Sequence, residues 1–163
     1  MRAILIILSF IPLLNGCVHN KSIQEKFNDL ERIDYSDFND LSIINRKGVY
    51  FVTYHGASFK IKKKFLTEKI SSIERTINKN RNVLLTKKDT IYFERALNSF
   101  DKIDILSLSV DEKRNVFLSV PWHDRCTYKF LRLSPLNTLE DIKKQYYTIY
   151  KDDWYLDKEC SER

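Results

Sequence analysis

Glycine, proline and cysteine each occur only three times in the 163-residue chain. So few glycines leave little room for phosphate-cradling loops, and neither a P-loop nor a G-x-G-x-x-G fingerprint is present. The G-x-S-x-G elbow of serine hydrolases is missing as well. The three histidines, His19, His55 and His123, have no second ligand at a spacing typical of zinc sites, so neither a metal nor a cofactor is expected. Proline- and glycine-rich linkers are absent, and 43% apolar with 13% aromatic residues excludes wholesale disorder. The longest apolar run, Ala3 to Leu14, has twelve residues. As a helix it reaches about 18 Å, short of the roughly 30 Å hydrocarbon core of a bilayer.

That run is preceded by Arg2 and followed by Asn15-Gly16-Cys17, the layout of an export signal with a small residue before the cut. Leu14-Asn15-Gly16-Cys17 resembles the lipobox of bacterial lipoproteins, with Asn15 departing from the commoner Ala, Ser, Thr or Val. The resemblance implies that the Cys17 thiolate takes up a diacylglycerol, that a specialised peptidase cuts before it, and that the new N-terminus is acylated, commonly with palmitate. Val18 rather than Asp after the cysteine implies the periplasmic face of the outer membrane. Each buried lipid methylene adds about 0.8 kcal/mol, so two or three chains anchor stably where one does not. The expected organisation is a signal peptide over 1–16, a lipidated tether over 17–27 and a single periplasmic domain over 28–163.

With Cys17 carrying lipid, Cys126 and Cys160 remain, and in an oxidising compartment an even pair reads as a disulfide. It would stabilise the fold by about 4 kcal/mol in the chain-entropy account. The most enzyme-like window, Pro121-Trp122-His123-Asp124-Arg125-Cys126, is then a loop leading into a pinned strand, because a disulfide removes the nucleophile. Removing 1–16 takes one Arg and no acid, leaving the net charge of +6 one unit lower. The excess is spread along the chain, as at Lys60 to Lys64, Lys87-Lys88 and Lys143-Lys144, and reads as solvated faces. With no clustered basic helix, nucleic acid is not an expected partner.

The body alternates like a sheet. Strands are expected at Leu41–Asn45 and Val49–His55 around Arg46-Lys47-Gly48, and again at Ser58–Leu66, with Phe59 and Ile61 inward and Lys60 and Lys62 in water. Leu66, Ile70, Ile73 and Ile77 recur at helical spacing, which predicts a helix there. Further strands are expected in NVLLT, DTIYFERAL, KIDILSLSV, NVFLSVPW and CTYKFLRLS, with the charged DEKR run as a hairpin turn. A last helix is expected in SPLNTLEDIKKQYY, capped by Asn137 or Thr138, before an extended YYTIYKDDWYLDKEC turning at Lys151-Asp152-Asp153. The fold class is therefore α+β, mainly β: one antiparallel sheet or small sandwich with one or two packed helices.

Tyr146, Tyr147, Tyr150, Trp154 and Tyr155 are candidates for a recognition surface, with core packing as the competing reading. Asp37, Asp40 and the lysine face are further candidate contacts. The lipobox, the small β-rich body and the YYTIYKDDWYLDKEC ending together resemble Gram-negative lipoproteins assigned as immunity proteins against type VI secretion toxins. That resemblance implies a protein that binds and blocks a delivered effector and performs no chemistry itself. Two other classes stay open: a pilotin-like or envelope-assembly lipoprotein, and an enzyme acting on cell-wall material.

Overall fold

A computed structural model describes residues 22–64, 67–76, 84–121, 126–135 and 137–160, with Cys160 by its backbone alone. The lipobox and Cys17 lie outside these residues, as do His123, Asp124 and their neighbours in the window before Cys126. The chain falls into two compact units divided after Glu31. The first contains helix α1, Ile23–Glu31. Ser22 Oγ accepts the Glu25 N–H at 3.2 Å, and the Glu25 carboxylate accepts the Ser22 N–H at 2.6 Å. This reciprocal cap satisfies two otherwise unpaired helix donors. Phe27 and Leu30, three residues apart, form its buried face. The helix therefore starts inside the segment expected to be a tether. The expected boundary at residue 27 separated Phe27 from Leu30 and hid the stripe.

The second unit is built on a nine-stranded, wholly antiparallel sheet in the order β4-β3-β2-β1-β5-β6-β7-β9-β8. Its strands are β1 (Leu41–Arg46), β2 (Val49–Tyr54), β3 (Ala57–Lys63), β4 (Ile70–Thr76), β5 (Ser107–Val110), β6 (Val116–Pro121), β7 (Cys126–Arg132), β8 (Thr148–Lys151) and β9 (Trp154–Cys160). The expectation of a mainly β, α+β domain holds, and the choice left open resolves to one sheet. The first two hairpins turn on two residues of positive φ: Lys47 and Gly48 at 52° and 77°, His55 and Gly56 at 47° and 72°. Such turns match the right-handed twist of the strands they join. A side chain at Gly48 would meet nothing within 4 Å, so its backbone angle alone calls for glycine.

Alternation sorts the sheet into two faces. On one lie Leu41, Ile43, Tyr50, Val52, Phe59, Ile61, Leu108, Val110, Leu118 and Phe130, all buried. Helix α2, Lys87–Phe100, returns the chain from edge strand β4 to β5 and packs on this face. Thr86 and Asp89 form its capping box, and Phe93, Ala96, Leu97 and Phe100 its buried stripe. Phe93 meets Tyr54 edge-on at 5.3 Å and Phe59 at 5.8 Å, while Phe100 meets Tyr50 at 6.4 Å. At the far end Asp101 accepts the Tyr50 hydroxyl at 2.7 Å and pairs with Lys63 at 2.6 Å. On the opposite face a second cluster gathers Leu131, Leu133 and Tyr147 with Phe117, Leu139, Ile142 and Tyr155.

Three expected elements differ. DTIYFERAL is the body of α2 rather than a strand, because Phe93, Ala96 and Leu97 fall on one helical stripe that the β-branched and aromatic content disguised. The helix expected around Ile70 and Ile73 is strand β4, with Ile73 opposite Ile61 and Glu74 opposite Lys60. A spacing of three fits a helix and not regular strand alternation; the register shift between Lys62 and Lys63 sets Ile70 opposite Lys63 and Ile73 opposite Ile61, so the strand absorbs it. The capping contacts expected at Thr138 do form: its N–H reaches Asp141 at 2.8 Å and its Oγ accepts the Asp141 N–H at 3.3 Å. No helix follows, because Lys143 takes a φ of 55°. Its N–H bonds Glu140 O at 3.0 Å and the Lys144 N–H bonds Leu139 O at 2.9 Å, the paired bonds that close a helix end after one turn. Of the strand expected at NVLLT, residues 82–83 lie outside the described residues and 84–86 are irregular.

Candidate functional site

The β5–β6 turn offers shaped polar surface. Asp111 Oδ1 accepts the N–H groups of Lys113 at 3.0 Å and Asn115 at 2.8 Å, and the Arg114 N–H returns to Asp111 O at 2.9 Å. Arg114 is held at a φ of 66°, a conformation costly for a residue with a Cβ. Asn115 has no exposed surface and is the one polar or charged residue buried among the described residues. Its Nδ2 donates to Asp111 Oδ2 at 2.8 Å, and its Oδ1 accepts from the Ser134 N–H at 2.8 Å and Asn137 Nδ2 at 3.2 Å. One side chain thus ties the hairpin turn to the segment leaving β7.

Between those two tied walls lies a cleft of about 760 Å³. Arg132, the last residue of β7, lines it, and its guanidinium carbon lies 5.3 Å from the Tyr35 ring and 5.7 Å from the Trp154 ring. Trp154 pairs with Arg132 across β7 and β9, and it is itself braced by Tyr35 at 6.2 Å and Phe130 at 6.4 Å. Two aromatic rings therefore flank the guanidinium within cation–π distance. Among the described residues, no carboxylate lies within ion-pair distance of Arg132 and no acceptor takes its N–H donors. Lys113 and Arg114 line the cleft with it, as do the carboxylates of Glu112 and Asp153 and the apolar walls Leu133 and Pro135. Nearby, the Ser36 backbone N–H holds the Asp34 carboxyl below its usual pKa, helped by the Arg132 charge. Burial keeps the Tyr35 phenol protonated well beyond neutrality.

On the other side of the turn, a second depression of about 460 Å³ shares Glu112 and Lys113. Its floor is hydroxylic, Thr53, Ser42 and Ser109 standing in register across β2, β1 and β5. Its charges are largely committed. His55 Nδ1 pairs with Asp40 at 2.6 Å and Asp111 is held by its own turn. The Arg132 cleft, where among the described residues no acceptor takes the Arg132 donors, is the stronger candidate site.

The five aromatics expected near the C-terminus do not make one surface. Trp154 is buried in the core, Tyr147 is buried in the second cluster and Tyr155 packs against that cluster. Tyr150 meets Phe130 at 5.4 Å, and Tyr146 alone is well exposed. Alternation sends neighbours to opposite faces, and burial pushes the Tyr147 phenol up to about 12. Trp154 reaches the candidate site only as the platform under Arg132. Cys126 opens β7 and is disulfide-bonded, and the residue opposite it in β9 is Cys160. Asp37 pairs with Arg95 at 3.3 Å and Asp40 with His55, while Lys60 pairs with Glu74 at 3.4 Å. Arg132, Arg114 and Asn115 were not legible as site residues. For Arg132 a signal existed: it shares strand parity with Phe130, and a charge on a buried parity asks for a reason.

Among the described residues no group of three or more His, Cys, Asp or Glu side chains could hold a metal ion, and no helix is long and apolar enough to cross a membrane. The chain matches no protein-family model, no curated protein and no solved structure.

Proposed function

We propose that the protein is a lipoprotein anchored through Cys17 at the periplasmic face of the outer membrane, and that it acts by binding another protein as an immunity factor against a type VI secretion toxin. The observation that carries the anchoring is Leu14-Asn15-Gly16-Cys17 at the end of an uncharged twelve-residue apolar run. Five residues separate Cys17 from the start of α1 at Ile23. They reach at most about 18 Å, so the first folded element stays close to the headgroups. Binding is supported by the Arg132 cleft: a guanidinium beside two rings, with donors that no acceptor takes among the described residues and with apolar walls, is the kind of anchor that interface hot spots are built from.

The test is survival. In the native bacterium, a strain lacking this chain is expected to be killed by siblings with a working type VI apparatus and to survive beside siblings without one. Wild-type chain restores survival and Cys17→Ser does not. Equal survival of the deletion strain beside both kinds of sibling would overturn the reading.

A further inference from the structure

We infer that the Arg132 cleft is a carboxylate-binding site and that its occupant is the side-chain carboxylate of an Asp or Glu on the partner protein; this rests on the reading of the chain as a protein binder. The guanidinium is planar, it is flanked by the Tyr35 and Trp154 rings, and its donors have no acceptor among the described residues. A carboxylate matches such a fork with two parallel hydrogen bonds. Both walls are fixed by Asn115 before any ligand arrives, so little ordering is left to oppose binding.

The lining selects the class of anion. Lys113, Arg114 and Arg132 line the cleft with Glu112 and Asp153, and the Asp34 carboxyl lies within reach of the Arg132 charge. Leu133 and Pro135 offer apolar wall to the methylenes of an acidic side chain, which a free inorganic anion would leave unused.

The experiment follows the Arg132 Nε–Hε resonance of the ¹⁵N-labelled full chain in a non-ionic detergent. Four probes are titrated separately: N-acetyl-glutamate N-methylamide, its glutamine counterpart, acetate and inorganic phosphate. The glutamate probe is expected to shift the resonance saturably, acetate several-fold more weakly and the glutamine probe not at all. Arg132→Lys, which keeps the charge and loses the fork, is expected to weaken glutamate-probe binding about tenfold, read from the backbone amides of Lys113 to Asn115. Arg114→Gln, on the exposed turn, is expected to weaken it about threefold and keeps the test open if the Arg132 variant does not fold. Phosphate or the glutamine probe binding as tightly as the glutamate probe would overturn the carboxylate assignment. Acetate binding as tightly would overturn the assignment to a partner's side chain, and no response from Arg132 would remove the site. In each case, a deletion strain that is still killed and still needs Cys17 would leave the immunity reading standing.

Discussion

Replacing Asn115 by alanine removes three side-chain hydrogen bonds at once: to Asp111, to the Ser134 N–H and to Asn137. The position itself has no solvent exposure, while the three partners are only half-buried and can recover some water. At about 1 kcal/mol net for each bond, the loss is about 3 kcal/mol, a large part of the roughly 5–15 kcal/mol of a typical domain. For a chain of this size that corresponds to a fall in Tm of roughly 10 °C. Asn115→Asp is expected to cost at least as much, since it sets two carboxylates against each other where a 2.8 Å donor contact now stands. Adding Asp111→Asn should restore a donor between them while the remaining acceptors keep their places, so the swapped pair recovers at least half the loss. Urea unfolding followed by circular dichroism, with an unchanged m-value, measures all four proteins. A loss below about 1 kcal/mol for Asn115→Ala, or no recovery in the swapped pair, would refute the hub role.

Hydrogen bonds from the Thr86 side chain and backbone N–H hold the Asp89 carboxyl below the ordinary aspartate value of 3.8. Asp89 therefore contributes stability above that pH and loses it as pH falls through the lowered folded value; Asp89→Asn should be less stable than wild type at neutral pH and converge with it in an acid titration of Tm. Gly48→Ala should cost about 1 kcal/mol in chemical denaturation through backbone angle alone, because the added methyl meets nothing. Cys126→Ser should lower Tm, by at most the equivalent of about 4 kcal/mol, and the unreduced wild type should show no free thiol at Cys126 by alkylation and mass mapping.

The sheet was legible wherever local chemistry and tertiary need agreed. Val49 to Tyr54 is β-branched and aromatic, Gly48 turns it, and Lys60 and Lys62 alternate with Phe59 and Ile61, so β1 to β3 could be read from the residues alone. Short segments whose local pattern pointed away from their partner were misread. Ile70 and Ile73, three apart, read as a helix stripe, and only the irregular register with β3 makes the segment a strand. Thr90, Ile91 and Tyr92 suggest a strand, yet the capping box before them and Phe100 after them commit the segment to α2. The site was least legible because it is made by convergence. Tyr35, Arg132 and Trp154 come from a 3-10 turn and two strands, and no spacing along the chain announces that they meet.

The account depends above all on Cys17. Cells grown with an alkyne analogue of palmitate, expressing either the wild-type chain or Cys17→Ser, can be fractionated and the captured protein visualised by click chemistry. Anchoring through Cys17 requires label and outer-membrane recovery for the wild type, and neither for the variant. Equal labelling and equal membrane recovery of the two proteins would contradict it.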